Sequence, residues 1–281
     1  MNKFLCFLLA LLCIHSHVVG GNTLDYKSDS LEKARIGKPY FKSYLLDTKD
    51  MCLAPLHWKG RQWIITGTVL GAAAGIISQD DKIQKWSQEV KTGTWDTVTK
   101  YGFEPWGSGY YSMSVMGLYY IHGLVFKNER SKKTALLGVK AYILSGIAVN
   151  IPKLIINRYR PYHGESPDPY AFKGPFAGDF YKSMPSGHTT SIFTVATIVA
   201  EEYKDYWFVP VTCYTIASAA GISRIIDNKH WASDVFVGAA FGWAMGKLIH
   251  SRNNWGLRLT PHSNFGETGM KLTLPIGNKK G

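Results

Sequence analysis

The chain has 281 residues, of which 46% are hydrophobic, 14% aromatic and 19% charged. That balance excludes a disordered tail protein, a collagen-like chain and a disulfide-stapled miniprotein. The 32 Lys and Arg outweigh 20 Asp and Glu, a formal charge of +12 that suits partners carrying phosphate or an anionic surface. A mean hydropathy of -0.09 is low for a chain built wholly of membrane spans, so composition leans towards a globular protein.

Residues 1–21 read as a secretory signal: Lys3 supplies a positive start, Phe4 to Ile14 an apolar run, and Gly20-Gly21 a small-residue exit. The run is short for a membrane span. Cleavage would remove Cys6 and Cys13 and leave Cys52 and Cys213. An oxidising compartment permits a bridge between these two, but Cys213 lies in an apolar helical stretch, where a lone cysteine serves as a small buried hydrophobe. Residues 22–62 are polar and mixed, and the expectation there is a loose N-terminal segment with at most short helices.

From residue 63 to 252 the pattern is helical. Trp63 to Ser78 is apolar with small residues, and Ile83, Trp86, Val90 and Val98 form a stripe after the acidic start Asp80-Asp81. Tyr110 to Phe126 is aromatic-rich. Lys132 to Tyr159 is a long helical pattern with a kink expected at Pro152, and further helices are expected at about 187–203, 208–224 and 231–250. In the tail, 253–281, Leu257 to Thr260 and Met270 to Leu274 alternate as a β-hairpin would. Gln62 to Gln79, Pro105 to Phe126 and Tyr206 to Ser223 approach the length of a span. They are diluted by Gly, Ser, Thr and Tyr, so a soluble or peripheral envelope protein is expected, with a polytopic membrane protein as the alternative.

Three clusters carry chemistry suited to phosphate. Lys153 and Arg160, seven apart on one helix, lie two turns apart on the same face and can both reach one anion, with Pro161 ending that helix. Alone, a basic helix end is usually a solvated face. Pro185-Ser186-Gly187-His188 stands directly before a helical run, where backbone N–H groups, a hydroxyl and the helix dipole favour an anion. His188 stands there as a proton donor or acceptor; the plainer reading is a Ser-capped helix with an incidental histidine. Ser223-Arg224 is followed by His230 and Asp234, four apart and so on one face of a helix. A carboxylate on one imidazole nitrogen leaves the other free as a nucleophile, although a surface His–Asp pair without chemistry looks the same.

Taken together and in order, Lys-x6-Arg-Pro, Pro-Ser-Gly-His and Ser-Arg-x5-His-x3-Asp resemble the signature of the phosphatidic acid phosphatase type 2 (PAP2) and vanadium haloperoxidase superfamily, over about residues 63–250. The resemblance implies a mainly α, PAP2/haloperoxidase-like helical bundle, here followed by a short β-hairpin-like tail. It implies that Lys153, Arg160, Ser186, Gly187 and Arg224 bind phosphoryl oxygens. His230 would attack phosphorus, Asp234 would orient its ring, and His188 would protonate the leaving oxygen and then activate water. No other cluster has metal-ligand spacing, so no metal or cofactor is expected and activity should survive chelators. The two histidines need pKa values pushed apart.

The substrate is expected to be a phosphorylated envelope lipid or a small phosphate ester, hydrolysed as a monoester or diphosphate. A vanadate-dependent haloperoxidase, an acid phosphatase of soluble esters and a non-catalytic anion-binding protein remain the alternatives. Nucleic acid is disfavoured, because the basic residues are dispersed rather than striped. His57, His122, His163, His250 and His262 lack partners at motif spacing and read as structural. Arg158 and Lys182, which flank the signature, read as solvated charges, and Asp227 as a brace for its loop.

Overall fold

A computed structural model describes residues 36–163, 167–176 and 181–252 in full, together with the backbone of 258–264 and 267–273. The signal expected over 1–21 lies outside the described residues. The body, residues 34–256, is mainly helical. Its first helix, α1 (Lys38–Leu53), is 16 residues long, where at most short helices were expected. It is anchored in part by charge: Asp47 makes a buried ion pair of 2.5 Å with Lys140, and Ser43 accepts a hydrogen bond from the same ammonium.

A 3₁₀ turn (Ala54–His57) leads into α2 (Gly60–Ile77), then α3 (Asp80–Glu89) and α4 (Gly93–Val98). A π-helical turn at Thr99–Phe103 precedes the short α5 (Glu104–Gly107), which is followed by α6 (Tyr110–Val125). Helix α7 (Glu129–Ala148) starts at Asn128, whose side chain accepts from the Ser131 amide, and α8 (Asn150–Ile156) continues it. The break falls at Val149 because the Pro152 ring collides with the carbonyl four residues back, that of Ala148. Helices α9 (Gly187–Glu202), α10 (Phe208–Ile226) and α11 (Ala232–Arg252) complete the bundle.

Helix α9 is the central element, buried along most of its length. Ile198 packs with Leu137, Leu144, Met245 and Ile249 on one side, and Ile192 and Ala196 with Ala217 and Ala220 on another. Its approach to α11 is set by glycines at every fourth position. A Cβ on Gly238 would stand 2.7 Å from the Ser186 carbonyl oxygen, and one on Gly246 would stand 2.6 Å from Thr197 Cβ. The closeness lets Thr190 and Thr194 donate hydroxyl hydrogen bonds across the gap to the carbonyls of Gly238 and Gly242, at 3.2 and 3.1 Å. Small residues that bring helix backbones together, with hydroxyls bridging them, are the packing mode of membrane helices.

The outer surface is strongly apolar. On α2 only Ala73 is buried, while Ile64 is 71% exposed, Val125 of α6 67% and Ile147 of α7 65%. The segments Glu129–Ile156 and Phe208–Ile226 are long and apolar enough, by length and composition, to cross a membrane. The backbone of Arg258–Asn264 and Glu267–Thr273 traces two antiparallel segments in a separate unit. The helical body is as expected, whereas the expected β-hairpin tail falls outside it and is not supported as part of the fold. Cys52 and Cys213 are both free thiols.

Candidate active site

The three sequence blocks meet at one end of the bundle. Lys153 lies on α8 and is 7% exposed, with its ammonium donating to the Lys182 carbonyl at 2.9 Å. A Cβ on Gly187 would be 3.6 Å from that nitrogen, so the first block faces the second. The reading that Lys153 and Arg160 share a helix face is corrected. The helix ends at Ile156, because Asn157 takes a left-handed conformation (φ 46°) as its cap, which Asn tolerates better than most residues. The Asn157 side chain then accepts from the Tyr181 amide at 2.8 Å, and Arg158 bridges to Phe172 in extended geometry. Arg160 reaches the site from this non-helical strand of chain, and its charge acts on both Lys153 and His230.

Ser186 is the N-cap of α9, where its hydroxyl accepts from Thr189 at the helix start. Its amide donates to the Asp234 carbonyl at 3.0 Å, which ties the second block to the third. Gly187 and His188 form the first turn, so the positive end of the dipole opens here. His188 is packed by Gly107 of α5, where a Cβ would stand 2.8 Å from His188 Cβ. Its Nε2 is 3.3 Å from a Glu104 carboxylate oxygen.

The third block spans the end of α10 and the start of α11. Arg224 is held by Asp227 at 2.6 Å, and Asp227 accepts from the Thr99 hydroxyl at 2.7 Å. Asp227 therefore braces its loop. Lys229 and His230 both donate their amides to the Arg224 carbonyl, at 2.9 and 3.3 Å. The expectation that His230 and Asp234 share one helix face is also corrected, since α11 begins at Ala232. Asp234 is the third residue of that helix, and its carboxylate reaches back to the Trp231 amide at 3.0 Å, as the acidic residue of a capping box does. The cap brings the same oxygen to 3.5 Å from His230 Nδ1. That contact is longer than a good hydrogen bond, and Nδ1 has no other partner among the described residues.

His230 is buried. Loss of water pushes its pKa down to about 4; Asp234 opposes this, while Arg160 and Lys153 add to it. The ring is thus neutral at neutral pH, with Nδ1 turned to the carboxylate and Nε2 left for chemistry. His188 is also held below its ordinary value, by burial first and then by Arg224, with Glu104 pulling the other way. Burial thus holds both imidazoles below their ordinary value, and only His188 has a carboxylate of α5 pulling it back.

Several residues of the site were not legible in sequence. Arg158 is wholly buried, not solvated. It donates to Asp234 at 2.8 Å, to Asp80 at 2.7 Å, to the Ser233 hydroxyl at 2.7 Å and to the Pro169 carbonyl. Asp80, read only as an acidic helix start, is fully buried against it. Gln84, Ser87 and Gln88 of α3 bond to Asn228, Ile225 and Ile226 beneath the third block. No spacing rule links residues 80–104 to positions from 78 to 153 residues later. The histidines read as structural take local partners: His57 the Leu53 carbonyl, His122 the Ser131 hydroxyl and His250 the buried Glu202. The His262 side chain lies outside the described residues. Among the described residues no group of His, Cys, Asp and Glu could hold a metal ion.

A helix N-terminus, three cations and a neutral imidazole backed by a carboxylate make a helical protein with a site suited to a tetrahedral oxyanion. Residues 134–257, which contain all three blocks, match the family model of the PAP2 superfamily. It is 34% identical over 146 residues to a lipid A 1-phosphatase of Porphyromonas gingivalis, covering 48% of this chain and 29% of that protein. It is 30% identical over 148 residues to a lipid A 1-phosphatase of Rhizobium etli, covering 49% of this chain and 62% of that one. The chain therefore spans less than two thirds of either relative's length. A crystal structure of a transmembrane PAP2 type phosphatidylglycerolphosphate phosphatase from Bacillus subtilis superposes with a TM-score of 0.48 at 19% identity, covering 77% of this chain and 96% of that one.

Proposed function

We propose that this protein is a membrane-embedded phosphatase that hydrolyses lipid phosphate monoesters or diphosphates through a phosphohistidine at His230, without a metal. The observation that carries the reading is the buried, neutral His230, with a carboxylate on its Nδ1 side and the fields of Lys153 and Arg160 on it. Phosphoryl transfer needs positioning and charge stabilisation above all. Lys153, Arg160, Arg224 and the amides at the start of α9 supply these.

In the first step Nε2 of His230 attacks phosphorus, the bond to the leaving oxygen breaks, and His188 gives that oxygen its proton. A phosphoryl group between the cations adds negative charge beside His188, which favours the imidazolium, as Glu104 already does. In the second step His188 takes a proton from water, the hydroxide attacks phosphorus, the P–N bond breaks and orthophosphate leaves. The similarity to two lipid A 1-phosphatases supports a lipid phosphate as substrate. The polytopic alternative gains over the soluble one from the exposed apolar faces of α2, α6 and α7 and from the segments Glu129–Ile156 and Phe208–Ile226. An uncovered surface of this kind is rare on a water-soluble protein. Secretion directed by residues 1–21 would put the site on the envelope side.

The test is phosphate release by the full chain in detergent, wild type beside His230→Ala and His188→Ala. Substrates are a soluble aryl phosphate, a short-chain phosphatidate and a lipid A type phosphate, each with and without EDTA. Release by the wild type, unaffected by EDTA and lost in both variants, is expected. Release that persists in His230→Ala rules out the phosphohistidine, and release that needs a metal rules out the metal-free reading.

A further inference from the structure

We infer that Arg158, clamped by Asp80, is a positioning residue for the reaction: it fixes the Asp234 carboxylate in the orientation that faces His230 and balances its charge there. The inference rests on the phosphohistidine reading above and assigns roles to two residues outside the three signature blocks.

The geometry is specific. Arg158 is fully buried, as are both carboxylates it joins. One terminal nitrogen binds Asp234 Oδ1 at 2.8 Å and the Ser233 hydroxyl at 2.7 Å; the other binds Asp80 Oδ2 at 2.7 Å. Nε and the second nitrogen both reach the Pro169 carbonyl. Asp80 in turn accepts the Ser233 amide at 3.0 Å and the Ser233 hydroxyl at 2.5 Å, so it grips the first turn of α11 directly. The other oxygen of Asp234 accepts from the Ser183 hydroxyl at 2.6 Å and the Trp231 amide.

Arg158 thus holds Oδ1 while Ser183 and the Trp231 amide hold Oδ2, which fixes the carboxylate against rotation away from His230. Two carboxylates share one guanidinium, one on each terminal nitrogen of a planar fork that Lys lacks. The guanidinium also lies over the rings of Phe172 and Trp231, 5.0 and 5.4 Å from their centroids. Asp80 comes from α3, far away in sequence and outside residues 134–257. The preceding helices are thus part of the site's alignment and not only of its support. Charge matters as well as direction. An unbalanced Asp234 would hold a proton on His230 and quench the nucleophile, whereas the Arg158 charge lets the ring stay neutral.

The test uses the full chain in detergent with ¹⁵N-labelled histidine, comparing wild type, Arg158→Gln, Arg158→Lys and Asp80→Asn. The His230 resonance is identified by its loss in His230→Ala. Two quantities are read: the pH midpoint of His230 protonation, and kcat and KM on a soluble aryl phosphate. In Arg158→Gln the midpoint should rise by about half a pH unit or more, and kcat should fall by about tenfold or more with KM little changed. In Arg158→Lys the midpoint should stay near that of the wild type, with part of the rate recovered. In Asp80→Asn kcat should fall without any rise in the midpoint.

A wild-type midpoint and rate in Arg158→Gln overturns the inference. So does an equal rise of the midpoint in all three variants, which is what loosened packing and water entry would produce. If Arg158→Gln does not fold, wild-type kcat in both Arg158→Lys and Asp80→Asn overturns it. The midpoints need no turnover, so a chain silent on every ester would count against the phosphatase reading and leave the positioning result standing.

Discussion

Substitution of Gly238 by alanine tests the link between helix packing and chemistry. The added methyl would stand 2.7 Å from the Ser186 carbonyl oxygen and 3.3 Å from Thr189 Cβ. An ordinary carbon–oxygen contact is about 3.4 Å, so the second turn of α11 must retreat from the start of α9 by roughly 0.7 Å at that point. Backbone on both sides leaves no flexible side chain to give way. The retreat lengthens the 3.0 Å bond from the Ser186 amide to the Asp234 carbonyl and separates His230 and Asp234 from Ser186, Gly187 and Lys153. Overpacking of this kind costs about 1–3 kcal/mol of stability, and a misplacement near 1 Å costs up to about 10²-fold in rate. A fall in kcat of about tenfold or more is expected.

Gly246→Ala is the control. Its methyl would stand 2.6 Å from Thr197 Cβ and 2.9 Å from the Thr194 carbonyl, the same offence to the same helix pair two turns further from the site. Thermal unfolding in detergent and kcat on an aryl phosphate would be measured for both. Similar stability losses are expected, with the large rate loss confined to Gly238→Ala. Equal rate losses in both variants, or a destabilised Gly238→Ala with wild-type kcat, would refute the reasoning.

Two further outcomes follow from charges. Glu104→Gln removes the group that raises the His188 pKa against burial and Arg224; the acid is then lost at lower pH, so the alkaline limb of the kcat profile should move towards acid while the acidic limb stays. A profile identical to that of the wild type would show that Glu104 does not act on His188. Lys140→Met should cost about 3–5 kcal/mol by leaving Asp47 buried and unpaired, read as a fall in the unfolding temperature. Pairing it with Asp47→Leu should recover most of that loss, whereas no recovery would place the cost in packing around α1.

The helices of the bundle were legible because their apolar runs have helical length and period, and the break near Pro152 follows from local sterics. Helix α1 was missed: its residues show little periodicity, and its attachment is a buried ion pair to a helix about a hundred residues away. Lys153 with Arg160, and His230 with Asp234, were matched by helical spacing that neither pair possesses. Asn157 ends one helix early and Trp231 begins the other late. The groups still meet, because a left-handed cap and a capping carboxylate bring them round.

The sequence by itself determined which chemical groups the site has, since side chains of the right type stand in three short blocks, each needing only local backbone geometry to present them. It also determined the mainly helical class, because periodicity is a local property. Tertiary structure alone decided the rest. Whether Arg158 is a solvated charge or the clamp on Asp234, and whether Asp80 and Glu104 belong to the site, depends on which distant helix occupies the space beside them. Charge and exposure at a position become defined only when the chain has closed around it, and no spacing within a block carries that information.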